Sequence, residues 1–110
     1  MALPVTLTDS SFRTQVIDSE KPVLVFFWAE WNSTCKALAP TIRVLAEEDG
    51  EHLTVARLDV DANPVTPAMF GIPSVPVLML FAGGQALFRL VGYRRIDVLR
   101  AEIEAALVGV

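Results

Sequence analysis

The order of apolar patterns along the chain predicts an α/β fold, a mixed central β-sheet with helices on both faces. Three observations carry this. Val23–Trp28 is an unbroken run of β-branched, aliphatic and aromatic residues, the composition of a strand buried on both faces. From Asn32 onward, Cys35, Leu38, Ile42 and Leu45 recur three and four apart, which makes one apolar stripe on a helix. Residues 77–81 and 86–91 are apolar and flank Ala82-Gly83-Gly84-Gln85, a hairpin signal. A strand–helix–strand crossover gives parallel neighbours and a tight hairpin gives antiparallel ones, so the sheet is mixed.

Each element has its own local justification. Thr8 can cap a first helix that runs to about Ser19, with Leu7 packing on Phe12 as a hydrophobic staple. Pro22 precedes the strand at Val23–Trp28. The next helix contains Pro40, which should kink it, and ends at Gly50. Residues 53–60 read as a strand. Residues 63–70 read as a short helix or turn, with Asn63 as cap and Pro64 in its first position. After the hairpin, residues 96–107 place Ile96, Leu99, Ile103 and Leu107 on one stripe. The order is therefore (β)αβαβαββα.

The 110 residues fit a single domain spanning 1–110, and 53% hydrophobic residues supply a core that needs no disulfide or metal. The longest apolar runs, 23–29 and 75–82, are too short to span a bilayer, so no membrane association is expected. The start MALPVTLTDS has neither a basic opening nor a long apolar stretch, so no signal peptide is expected. One cysteine cannot form an internal disulfide, and the cytoplasm is the expected compartment. The sequon Asn32-Ser33-Thr34 is not expected to be used without a secretory signal. A net charge of −4 and the short pair Arg94-Arg95 argue against a nucleic-acid partner. His52 stands alone among acidic residues, so neither a metal nor a cofactor is expected. Oligomeric state is left open.

Four stretches, taken in order, resemble the thioredoxin family: VLVFFWAEW (23–31), CKALAP (35–40), DANP (61–64) and FGIPSVPVLMLFAGG (70–84). The resemblance extends from Leu7 to Leu107. It implies the thioredoxin fold, with Val75-Pro76 as a cis-proline dipeptide before the fourth strand and Gly92 beside the active site. It also implies thiol–disulfide exchange. In that chemistry a helix-terminal thiolate attacks a disulfide, and a thiol three residues later resolves the product. This sequence departs from the pattern at several positions. Asn32 stands at the nucleophile position and Ser33-Thr34 between the two sulfur positions. Phe26 replaces the buried carboxylate, and Arg57 matches the nearby lysine. Cys35 remains, with Trp28, Trp31, Lys36, Pro40, Pro76 and Gly92.

Asn is among the best N-cap residues, because its side-chain oxygen accepts the first-turn N–H groups. Asn32 can thus preserve the helix start while removing the nucleophile, and Phe26 can fill the space of a carboxylate without work to do. Asn32 and Cys35 are then a vestigial active-site pair, with Cys35 buried, inert and raised in pKa. The expected function is a thioredoxin-like protein with a degenerate Asn-x-x-Cys site, not a competent dithiol–disulfide oxidoreductase but a protein- or peptide-binding or chaperone-type module. Whether it is an enzyme stays open. Trp31, Val75, Pro76, Gly92 and Tyr93 form the expected surface for an extended peptide, through main-chain pairing that needs no cysteine. The alternative is a redox protein in cell redox homeostasis that works through Cys35 alone, by a mixed disulfide with glutathione or a partner. Cys35 reactivity at neutral pH separates the two.

Overall fold

The computed structural model describes residues 3–110; Met1 and Ala2, the first residues of the expected domain, lie outside them. The chain forms β1 (Val5–Leu7), a short helix Arg13–Ile17, β2 (Val23–Trp28) and α1 (Ser33–Asp49). Then come β3 (Thr54–Asp59), α2 (Val65–Met69), β4 (Val77–Ala82), β5 (Gln85–Val91) and α3 (Ile96–Val108). The sheet order is β1-β3-β2-β4-β5, with β3 parallel to β1 and β2, and β4 antiparallel to β2 and β5.

β2 is apolar throughout because it is covered on every side. Phe26 pairs with Arg57 on β3 and with Leu78 on β4. Successive side chains point to opposite faces. Leu24 and Phe26 join Cys35, Leu38, Ile42 and Leu45 of α1 and Leu99 and Ile103 of α3 in one core. Val23, Val25 and Phe27 join Leu7, Phe12 and Val16 in the other. In that second core the rings of Phe12, Phe70 and Phe81 meet edge-on or tilted at centroid distances of 5.5 to 5.7 Å. The hairpin turns through Gly83 (φ +59°) and Gly84 (φ +80°), conformations that favour glycine at both positions. The Val75–Pro76 peptide bond is cis.

Two local expectations need correction. The first helix is shorter than its pattern. It starts at Arg13, with Phe12 in its cap position and no side-chain cap, so Thr8 does not cap it. Thr8 and Ser11 instead close the turn before it: the Ser11 N–H donates to Thr8 Oγ1 at 3.1 Å and the Thr8 N–H to Ser11 Oγ at 2.9 Å. The Asp18 N–H then reaches back five residues to the Arg13 carbonyl at 2.9 Å, a wide turn that ends the helix at Ile17 rather than Ser19. The second correction concerns α2. Pro64 occupies its cap position, and Asn63 does not cap it. The cap is supplied from the far side of the sequence by Asp9, whose carboxylate accepts from the Val65 N–H (3.1 Å), the Thr66 N–H (2.8 Å) and the Thr66 hydroxyl (2.7 Å). Asn63 holds this arrangement, accepting from the Asp9 N–H at 3.0 Å and donating to the Asp59 carbonyl at 3.2 Å.

Burial works against the Asp9 carboxylate, but the bonds from Thr66 and Val65 outweigh it and hold the group below its usual range. A lowered folded pKa means that the stabilisation is full above the ordinary carboxyl value of about 3.9 and is lost as pH falls through the lower folded value. Asp9→Ala is therefore expected to cost roughly 0.5–2 kcal/mol at neutral pH, the scale of a lost cap. The deficit relative to the unchanged protein should shrink as the medium is acidified past the folded value. Denaturant unfolding of both proteins across that range checks this, and a deficit independent of pH would contradict it.

Candidate functional site

The end of β2 and the start of α1 meet the segment that leads into β4. Asn32 stands at the N-cap of α1 with extended backbone (φ −92°, ψ 118°). Its Oδ1 accepts the Cys35 N–H at 2.9 Å, and its carbonyl accepts the Lys36 N–H at 3.2 Å. Its Nδ2 donates to the Val75 carbonyl at 3.2 Å. One amide therefore caps the helix and ties it to the residue before Pro76. The Gly92 N–H donates to the Pro76 carbonyl at 3.0 Å, which adds the end of β5. Asn32, Cys35, Val75, Pro76 and Gly92 are thus brought together by one short chain of contacts. Trp31 and Tyr93 take no part in it. Both are exposed, and the Trp31 indole N–H donates to Asp61 Oδ2 at 2.8 Å.

Cys35 lies in the first turn of α1 and is 2% exposed. Burial pushes its thiol up, against a hydrogen bond from the Ala29 backbone that pulls it down. Phe26 is buried beside it, as expected, but does not fill all the space. A cavity of about 290 Å³ remains, with Phe26, Trp28, Cys35 and Ile42 among its walls and Lys36, Arg43 and Arg57 around it. Arg57 places its guanidinium over the Trp28 ring, 5.7 Å from the centroid, and donates to Thr6 Oγ1 at 3.4 Å. Sequence reasoning missed this cavity. A faint signal was available, since Lys36 and Arg43 are seven apart and so share a helix face. Arg57 comes from β3, and only the family resemblance, which sets it near Phe26, points to it. His52 is exposed, and among the described residues no group of three or more His, Cys, Asp or Glu is placed to hold a metal.

The family model described as Thioredoxin matches residues 3–105. This chain belongs to the thioredoxin family. A thioredoxin of Alicyclobacillus acidocaldarius subsp. acidocaldarius is 46% identical over 99 residues, covering 90% of this chain and 93% of that protein. A thioredoxin of Mycolicibacterium smegmatis is 46% identical over 105 residues, covering 94% of each. A bifunctional thioredoxin reductase/thioredoxin of Mycobacterium leprae is 48% identical over 88 residues, covering 80% of this chain and 19% of that protein.

These relatives overturn the expected function. The departures at Asn32 and Phe26 argued for a binding or chaperone-type module without dithiol–disulfide oxidoreductase competence. Relatives that match nine-tenths of the chain at 46% identity carry the name thioredoxin instead. That expectation gave two substituted side chains more weight than the whole scaffold around them. Both substitutions fit locally, one as a helix cap and one as core packing, and a local fit does not decide the class of function.

Asn32→Ala removes both the cap and the tie to Val75. It is expected to destabilise the protein by roughly 0.5–2 kcal/mol. Asn32→Ser keeps an acceptor for the Cys35 N–H but cannot reach Val75 as a donor, and should recover most of the loss. Thermal or denaturant unfolding of the three proteins reads this directly. Equal destabilisation by Ala and Ser would mean that the tie to Val75, not the cap, is what matters.

Proposed function

We propose that this chain acts as a thioredoxin, in thiol–disulfide exchange on protein substrates. The observation that carries the proposal is the 46% identity to proteins named thioredoxin over nine-tenths of the chain. Cys35 is the only sulfur in the chain that can take part, since the three methionines are thioethers. Ionised Cys35 attacks one sulfur of a substrate disulfide. A bond forms between Cys35 and that sulfur, the substrate S–S bond breaks, and the departing thiolate takes up a proton. A thiol of a second molecule must then attack the substrate sulfur of the mixed disulfide: the bond to Cys35 breaks, Cys35 leaves as a thiolate, and a second thiol of that molecule displaces the substrate as a thiol while the two close as a disulfide. The Mycobacterium leprae relative's name joins a thioredoxin to a thioredoxin reductase, and a reductase dithiol is the class we propose for these two thiols.

The proposed substrate surface is the exposed Trp31 and Tyr93 with Val75, Pro76 and Gly92, which accepts an extended protein segment along the backbone before Pro76. Asn32 in this reading positions Cys35 rather than reacting, since it holds the Cys35 N–H. The proposed unit is one domain over residues 1–110, working in the cytoplasm, where a free thiol stays reduced. Among the described residues no helix is long and apolar enough to cross a membrane.

Reductase-coupled reduction of a protein disulfide tests the proposal. The unchanged protein should turn over, and Cys35→Ser should not. Turnover equal in the two would sink the reading. The raised thiol also fixes the sign of the pH dependence. Each pH unit below the thiol pKa lowers the thiolate fraction about tenfold, so the exchange rate should still be rising above the ordinary thiol value of about 8.5. Alkylation and mixed-disulfide formation followed against pH check this, and a plateau reached below neutrality would contradict it.

A further inference from the structure

We infer that the cavity beside Cys35 is a binding site for a small carboxylic acid with an apolar body. The inference stands apart from the redox reading and does not depend on it. The cavity measures about 290 Å³, just under the usual range for small-molecule sites, about 300–1,000 Å³, which suits a small ligand. Its inner walls are apolar, from Phe26 and Ile42, with the indole of Trp28.

The charges around it run against the balance of the chain. The net charge is −4, yet three of the nine Lys and Arg residues line this one cavity. Glu30 is the only acidic residue among the lining. The ion pairs among the described residues involve Arg95 and Arg100, and none involves Lys36, Arg43 or Arg57. Arg57 commits its Nε to Thr6, and its terminal nitrogens make no hydrogen bond among the described residues. An arginine with both outer nitrogens to spare suits a carboxylate, which it can hold in bidentate fashion.

The anion most consistent with these groups is a carboxylate rather than a phosphate ester. Phosphate sites usually draw on several backbone N–H groups at a helix start. Here Ser33 and Thr34, which open the helix, are not among the residues that line the cavity, and the Cys35 N–H is taken by Asn32. The remaining donors are side chains at the mouth of an apolar chamber, which suits one oxyanion group on a hydrocarbon body.

Octanoate and octanol are the probes, with the full chain carrying Trp31→Phe so that Trp28 is the remaining tryptophan. Octanoate below its micelle concentration should change the Trp28 fluorescence saturably and should slow alkylation of Cys35, which lies in the cavity wall. Octanol should bind about tenfold more weakly, the scale of one lost charge-assisted hydrogen bond, and so should octanoate to Arg57→Gln. If Arg57→Gln does not fold, Lys36→Gln with Arg43→Gln carries the same comparison, because both residues are exposed on α1. No saturable change, equal binding of octanoate and octanol, or unchanged affinity in the folded cation variant would each overturn the inference.

Discussion

The structure depends on β2 being covered on all sides. Its backbone is paired with β3 on one edge and β4 on the other, and its side chains enter two separate cores. A one-residue slip would send Phe26 and Phe27 each to the wrong core, so the register is firmly held. The strand therefore ends at a defined place, and the turn into α1 starts from a fixed point. One neighbour is parallel and the other antiparallel. The start of α1 at the end of β2 thus faces the start of β4, with Val75 and Pro76 just before it. The junction around Asn32 is a consequence of that topology.

At this junction a single amide serves both partners. The Asn32 oxygen accepts from the helix while its nitrogen donates to the Val75 carbonyl. Neither serine nor aspartate could do both, since a hydroxyl is too short to span the gap and a carboxylate has no proton to donate. The choice of asparagine at the cap is explained by the pair of bonds better than by cap propensity alone, where aspartate and serine do as well.

Much of the fold was legible because its signals are local. The unbroken apolar run matched β2 at both ends, the stripe from Cys35 to Leu45 is buried as its spacing requires, and two glycines turn the hairpin. What escaped the sequence was contact between distant segments. Asp9 caps a helix more than fifty positions away, and nothing near Val65 announces it. Arg57 stacks on Trp28 across two strands, and the cavity they border belongs to no single segment. The family motifs mark Asn32, Val75, Pro76 and Gly92, and these residues are neighbours in the structure. The bond from Trp31 to Asp61 carries no signal in the sequence. The functional class was misjudged at Asn32 and Phe26, where side-chain chemistry was legible and its consequence for the whole protein was not.

The state of Cys35 depends on the same junction. A helix start normally favours a thiolate, through the macrodipole and through free N–H groups aimed at the sulfur. Here the N–H of Cys35 itself is spent on the Asn32 side chain. The dipole alone contributes about 0.3–1 kcal/mol at such a position, and it weakens within the first turn. Lys36, Arg43 and Arg57 would also favour the thiolate, but all three are exposed at the cavity rim, where water screens them. Burial among Phe26, Leu38 and Ile42 has no such screening, and it prevails. The apolar packing that seats α1 against the sheet is therefore also what raises the thiol.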